Sequence, residues 1–149
     1  MQQAIEQARA GLARGQSPFG AVIVRGDELL AAGHNEVWLR ADPTAHAEVV
    51  AIQRAAQAAG SINLSGSAIY TTCEPCPMCA AAIHWARLDA VFCGATIADA
   101  AAAGFRELSL SAAELYSRGG SQVRLTAGLL AAECAALFDE WRRAGGRAY

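Results

Sequence analysis

Apolar residues recur at helical spacing near the start of the chain, where "MQQAIEQARAGLA" sets Ile5, Ala8 and Leu12 on one side and Gly15 then closes the run. The pattern next changes to a strand-like one. "FGAVIVRGDELLAAGHNEV" reads as two strands joined by a Gly26-Asp27 turn, a hairpin. "PTAHAEVVAIQRAAQAAG" reads as a helix opened by Pro43-Thr44 and stopped at Gly60. "SAIYTT" is a short strand, "CPMCAAAIHWAR" a helix and "DAVFCGAT" another strand; after "ADAAAAGF" come a short helix around Ala112 to Tyr116 and the strand "QVRLT". The last helix carries Leu130, Cys134, Leu137, Phe138 and Trp141, spaced to lay one apolar face on the body. Helix, hairpin, then alternating helices and strands predict an α/β fold, a mixed sheet covered by helices on both faces.

The 149 residues suit one domain, 1–149, large enough to bury a core without staples. There is no linker, low-complexity tract or internal repeat. No apolar run approaches a membrane span and the first residues lack the apolar core of a signal peptide, so the expected setting is the cytoplasm, with no membrane partner. The net charge is −2 and the 12 basic residues, all Arg, are scattered along the chain. A nucleic-acid binder usually concentrates such charge, so a small molecule is the favoured substrate and a polynucleotide is disfavoured.

Five cysteines, an odd number, include three crowded into "CEPCPMC". In a reducing compartment such crowding points to a metal or to catalysis more than to disulfides. Cys76 and Cys79, at i and i+3 on a helix start, can reach one ion; alone they could equally be a redox pair. His46 and Glu48 open another helix, and 26 residues, positions 49 to 74, separate Glu48 from Pro75. Zinc accepts one imidazole and two thiolates, and three protein ligands leave a position for water, the arrangement of catalytic sites. Such an ion lowers the pKa of water from about 16 toward 7. Glu48 shares the site only if the ion lies near the helix end, where first-turn side chains converge. Cys73 would close the open position as a fourth ligand and is read instead as a spare buried thiol. Cys93 and Cys134 are read as core. His34 and His84 have no nameable partner and are read as structural or exposed.

His46-Ala47-Glu48 with Pro75-Cys76-Pro77-Met78-Cys79 is the H-x-E … P-C-x-x-C signature of the zinc deaminases. From Pro18 to about Phe105, "PFGAVIV", "GHN", "DPTAHAEV", "CEPCPMC", "IHWAR" and "ADAAAAGF" resemble the cytidine deaminase superfamily, and most closely its guanine deaminase branch. The resemblance implies a three-layer α/β/α sandwich around a five-stranded mixed sheet, a homodimer and Zn2+ as cofactor. It implies His46, Cys76 and Cys79 as zinc ligands and Glu48 as proton shuttle. Asn35 and the Ala47 backbone N–H would hold the base, Phe19 and Trp85 would be pocket aromatics, and Glu107 would face the purine edge. Tyr149 is set against an aromatic C-terminus that closes the pocket. Each substrate contact also has a plain structural reading: a turn cap for Asn35, core for the aromatics, a solvated charge for Glu107.

The tail "VRLTAGLLAAECAALFDEWRR" departs from the guanine branch and resembles that of the tRNA adenosine deaminases. It leaves open whether C-terminal segments are exchanged between subunits and whether Tyr149 reaches a pocket. The expected activity is hydrolytic deamination of an amino-heterocycle, guanine to xanthine plus ammonia first. The alternatives are a tRNA adenosine deaminase, a deaminase of cytosine, a nucleoside or an aminated triazine, and a non-catalytic zinc-binding domain.

Overall fold

The structure, a computed structural model, describes all 149 residues. In chain order the elements are α1 (Gln2–Leu12), β1 (Gly20–Arg25), β2 (Glu28–His34), α2 (Val37–Arg40), α3 (Ala47–Ala59), β3 (Ala68–Cys73), α4 (Pro77–Trp85), β4 (Ala90–Ala95), α5 (Ile97–Ala103), α6 (Ala112–Gly119), β5 (Arg124–Thr126) and α7 (Ala131–Arg143). The strands form one sheet in the order β2-β1-β3-β4-β5. β1 runs antiparallel to both β2 and β3, while β3, β4 and β5 are parallel, so the sheet is mixed as expected.

Alternation along the strands divides the core in two. Ala21, Ile23, Ile69, Val91 and Cys93 pack against Ala51 and Ala55 of α3, Ala80 and Ile83 of α4 and Tyr116 of α6. On the other side Ile5 and Ala8 of α1 meet Cys134, Leu137, Phe138 and Trp141 of α7 and Phe105. The helices are drawn close by small residues. A Cβ on Gly94 of β4 would collide with the Cys134 sulfur, so α7 lies almost on the strand backbone. No helix is long and apolar enough to cross a membrane.

Three elements differ from the sequence expectation. The helix expected from Pro43 starts at Ala47, because Asp42 caps the Thr44 N–H and hydroxyl in a local turn (2.8 and 2.6 Å) and His46 is extended. α2, expected as the end of a strand, is held from outside itself: buried Glu36 pairs with Arg40 and with Arg54 of α3, both at 2.5 Å. α5 falls within the alanine-rich stretch that carries no apolar period, and a capping box between Thr96 and Asp99 starts it.

Candidate active site

Two helix N-termini face one another across the ends of the sheet strands. His46 is the N-cap of α3 and Cys76 the N-cap of α4, both extended, and Pro77 in the first turn of α4 tolerates the missing N–H there. Cys79 follows in the same turn. His46 Nδ1 lies 3.7 Å from Cys76 Sγ and 3.5 Å from Cys79 Sγ, and the three donor atoms fall within 4.8 Å of one another. Tetrahedral zinc with its usual bond lengths to nitrogen and sulfur sets such atoms about 3.6 Å apart. The imidazole and both sulfurs are therefore positioned to bind zinc, and the positive ends of both helix dipoles favour the thiolates.

Electrostatics among the donors agree with that. A hydrogen bond from the Cys79 thiol pushes Cys76 down to about 4, and the charged imidazole beside it adds to this. The same hydrogen bond, with burial, raises Cys79, so one sulfur ionises before the other until a cation neutralises both. Burial opposes charge on His46, yet Cys76, Glu48 and Glu107 outweigh it and raise its pKa.

Glu48 stands in the first turn of α3, 5% exposed, and accepts a hydrogen bond from the Thr71 hydroxyl at 3.3 Å. Burial first, and then the Cys76 charge, raise its carboxyl pKa above the ordinary value. Thr71 escaped the sequence reading; its only signal was an alternating inward position on a strand. Cys73 donates to the Thr96 carbonyl at 3.4 Å and burial pushes its thiol well up, so it stays a neutral neighbour.

The remaining expected residues divide. Asn35 is fully buried; its Oδ1 accepts from the Val37 N–H at 3.2 Å and its Nδ2 donates to the Tyr149 hydroxyl at 2.7 Å. Ala47 opens α3, where first-turn N–H groups have no intrahelical acceptor. Phe19 packs edge-on to Phe105 and Phe138, at 4.9 and 5.8 Å between centroids, and borders the innermost space beside Glu48. Glu107 is half-buried on the same wall, and burial followed by the Cys76 charge raises its pKa. Tyr149 does reach the site, its ring 5.6 Å from that of His46.

Trp85 does not. It ends α4, about 13.5 Å along the axis from Cys76, and is 75% exposed beside His84, so within one chain it is no pocket aromatic. His34 is structural, its Nδ1 2.8 Å from the Asn35 carbonyl, and His84 is exposed against Ser121. Residues missed from the sequence include Pro43, Met78, Phe105 and Leu108, which with His46, Cys76, Glu107 and Tyr149 bound an outer chamber of about 280 Å³. A wider depression of about 520 Å³ lies elsewhere, by His84, Arg87 and Arg124, and holds none of the donor groups.

Residues 1–95 match the cytidine and deoxycytidylate deaminase zinc-binding region. A guanine deaminase of Bacillus subtilis is 51% identical over 102 residues, 68% of this chain; the match spans 64% of that relative, less than two thirds of its length. A tRNA-specific adenosine deaminase of the same organism is 33% identical over 143 residues, covering 96% of this chain and 86% of the relative. The solved guanine deaminase from Nitrosomonas europaea superposes with a TM-score of 0.86 at 29% identity, over 94% of this chain and 81% of that one. The sheet order, the paired helix N-termini and the first 95 residues all lead to one conclusion: the chain belongs to the cytidine and deoxycytidylate deaminase family, built around its zinc-binding region.

Proposed function

We propose that residues 1–149 form one zinc-dependent deaminase domain that hydrolyses the exocyclic amine of a free nucleobase, guanine first, to give xanthine and ammonia. The observation that carries this is the buried Glu48 carboxyl beside the His46, Cys76 and Cys79 donors at the base of a small chamber. A purely structural ion has no use for such a carboxyl and usually takes a fourth protein ligand. Zinc held there supplies a polarised water at neutral pH. Glu48 would take one proton of that water and pass it to the ring nitrogen beside the attacked carbon, then take the remaining hydroxyl proton and pass it to the amine, which would leave as ammonia as the carbonyl forms. Its Thr71 hydrogen bond keeps the carboxyl aimed. Asn35 and the Ala47 N–H orient the base edge, Phe19 backs the ring, and Glu107 accepts from the purine N–H groups.

A free base is favoured over a polynucleotide by the size of the chamber, about 280 Å³, and by its having one arginine, Arg106, on its wall. A base splayed from an RNA loop needs an open mouth and a grip on flanking phosphates. The second reading, a tRNA adenosine deaminase, rests on the likeness to such an enzyme along 96% of the chain, tail included. We infer a homodimer in the cytoplasm; Trp85 is the kind of exposed apolar side chain that a second copy would cover.

Ammonia release from the zinc-loaded protein decides the reading, measured with guanine, guanosine, cytosine, cytidine, adenine and a tRNA anticodon stem-loop, and with Glu48→Ala as the blank. Turnover of guanine that disappears in Glu48→Ala supports the proposal. Turnover of the stem-loop alone replaces it with the second reading. Bound zinc with no turnover of any substrate returns the domain to a structural role.

A further inference from the structure

Glu48 does not open on one cavity alone. The innermost space beside it is about 20 Å³. One water needs roughly 10–15 Å³, so this space holds a water or an ammonia and no heterocycle. The outer chamber shares its walls at His46, Cys76, Glu107 and Tyr149. A further cavity, a groove of about 560 Å³, lies between α5 and the segment that enters α6, lined by Ala98, Ala101, Ser109 and Leu110 among others. It shares Glu74 and Glu107, and no other residue, with the innermost space. These two residues are therefore the partition between a buried, water-sized space and an open groove.

The two halves of the partition are held differently. Glu74 continues β3, its N–H bonded to the Ala95 carbonyl at 2.8 Å. Its Oε1 accepts from the Ala112 N–H at 2.9 Å, a first-turn amide of α6 that has no acceptor within the helix. Glu74 is thus a fixed post between strand and helix. Glu107 lies in the irregular stretch between α5 and α6, and no hydrogen bond pins its carboxyl, which burial and the charges of Cys76 and His46 alone act on.

Deamination leaves two products at different depths. The amine is released beside Glu48, while the ring fills the outer chamber and stands between that amine and the chamber mouth. We propose that the Glu74–Glu107 partition is a second way out of the site, through which ammonia departs into the groove and the next water arrives, while the base comes and goes by the outer chamber. Ammonia crosses as a whole molecule and water returns the same way, so no bond changes in the passage. Glu74 then sets the size of amine that can leave. This rests on the deaminase reading above, and not on which base is deaminated.

The test varies the size of the leaving amine. The full chain, zinc-loaded, is given guanine or N2-methylguanine, and release of ammonia or methylamine is measured beside zinc content. Expected in the wild type is rejection of the methylated base by roughly tenfold or more in kcat/KM, the cost of one surplus methyl group in a fitted space. Glu74→Ala widens the partition and recovers most of the methylamine release, with guanine turnover and zinc content kept. Glu74→Gln keeps both the volume and the acceptor for Ala112, so it rejects the methylated base as the wild type does. Ala98→Trp, on the exposed side of α5, fills the groove when added to Glu74→Ala and restores the rejection. Equal turnover of the two bases by the wild type overturns the proposal, and so does a rejection that persists in Glu74→Ala. Glu74→Asp, one methylene shorter with its charge kept, decides the same point where Glu74→Ala loses the anchor of α6. Absence of guanine turnover removes the guanine reading alone; the same ratio is then taken with cytosine and N4-methylcytosine or adenine and N6-methyladenine, according to which base releases ammonia.

Discussion

His46 and Cys76 hold the same station in two different helices. Each is an extended N-cap, with φ and ψ of −65° and 156° for His46 and −62° and 166° for Cys76, and Nδ1 and Sγ meet at 3.7 Å. Side chains leaving two helix starts in matching directions converge on one point, into which both dipoles aim their positive ends. Neither residue donates its side chain to cap its own helix, so both remain free to bind a cation.

Glu48→Gln preserves shape and the contact with Thr71 but cannot take a proton. Zinc content should stay at the wild-type level while kcat for ammonia release falls by about 10²–10⁴-fold, the span general acid–base groups supply. Metal analysis beside steady-state kinetics checks both halves; zinc lost together with activity would assign Glu48 a structural part instead.

Chelation should abolish activity and lower the melting temperature together, because the ion ties α3 to α4. A ligand at about 1,000 times its Kd adds about 4 kcal/mol to stability, which for a domain of this size is a drop of several degrees or more on removal. Calorimetry with and without chelator, followed by zinc add-back, checks it.

Glu107→Gln should leave zinc binding unchanged and raise the KM for guanine by about tenfold or more, the worth of one hydrogen bond to a charged group. A KM that does not move would place Glu107 among solvated wall charges.

The capping box of α5 should show itself in acid. Asp99 is held below its ordinary pKa first by the Thr96 backbone N–H and then by the Thr96 hydroxyl, at 2.8 and 2.7 Å. A carboxyl with a depressed folded pKa stabilises above its unfolded value and loses that contribution as pH falls through the folded one. Asp99→Ala should therefore cost about 1 kcal/mol near pH 7, by the usual worth of a cap, and the gap should close below about pH 3.8. Urea melts of both proteins across that range measure it.

Much of this is legible in the sequence, for local reasons. The donor set rests on short motifs at helix starts, and the hairpin on its Gly26-Asp27 turn, so near neighbours in the chain decide both. What escaped depends on partners far away in sequence. α2 owes its place to Glu36 reaching Arg54, which no window around Val37 contains. The start of α3 slipped past Pro43-Thr44 because Asp42 captured Thr44 first. Trp85 looked like a pocket residue in its motif, yet the length of α4 carries it away. The return of Tyr149 to Asn35, 114 residues earlier, hangs on whether a glycine fits against Trp141.

The order β2-β1-β3-β4-β5 also bears on how quickly the site can come into being. β1 and β2 find each other across a two-residue turn, whereas β1 meets β3 only when Ala21 reaches Thr71, fifty positions on. The imidazole follows β2 and the sulfurs follow β3, so they are strangers until that distant pairing closes. Loop closure over such separations is slow compared with forming a hairpin or a helix turn. Binding by all three donors together then waits on that pairing, a seal on a nearly finished sheet.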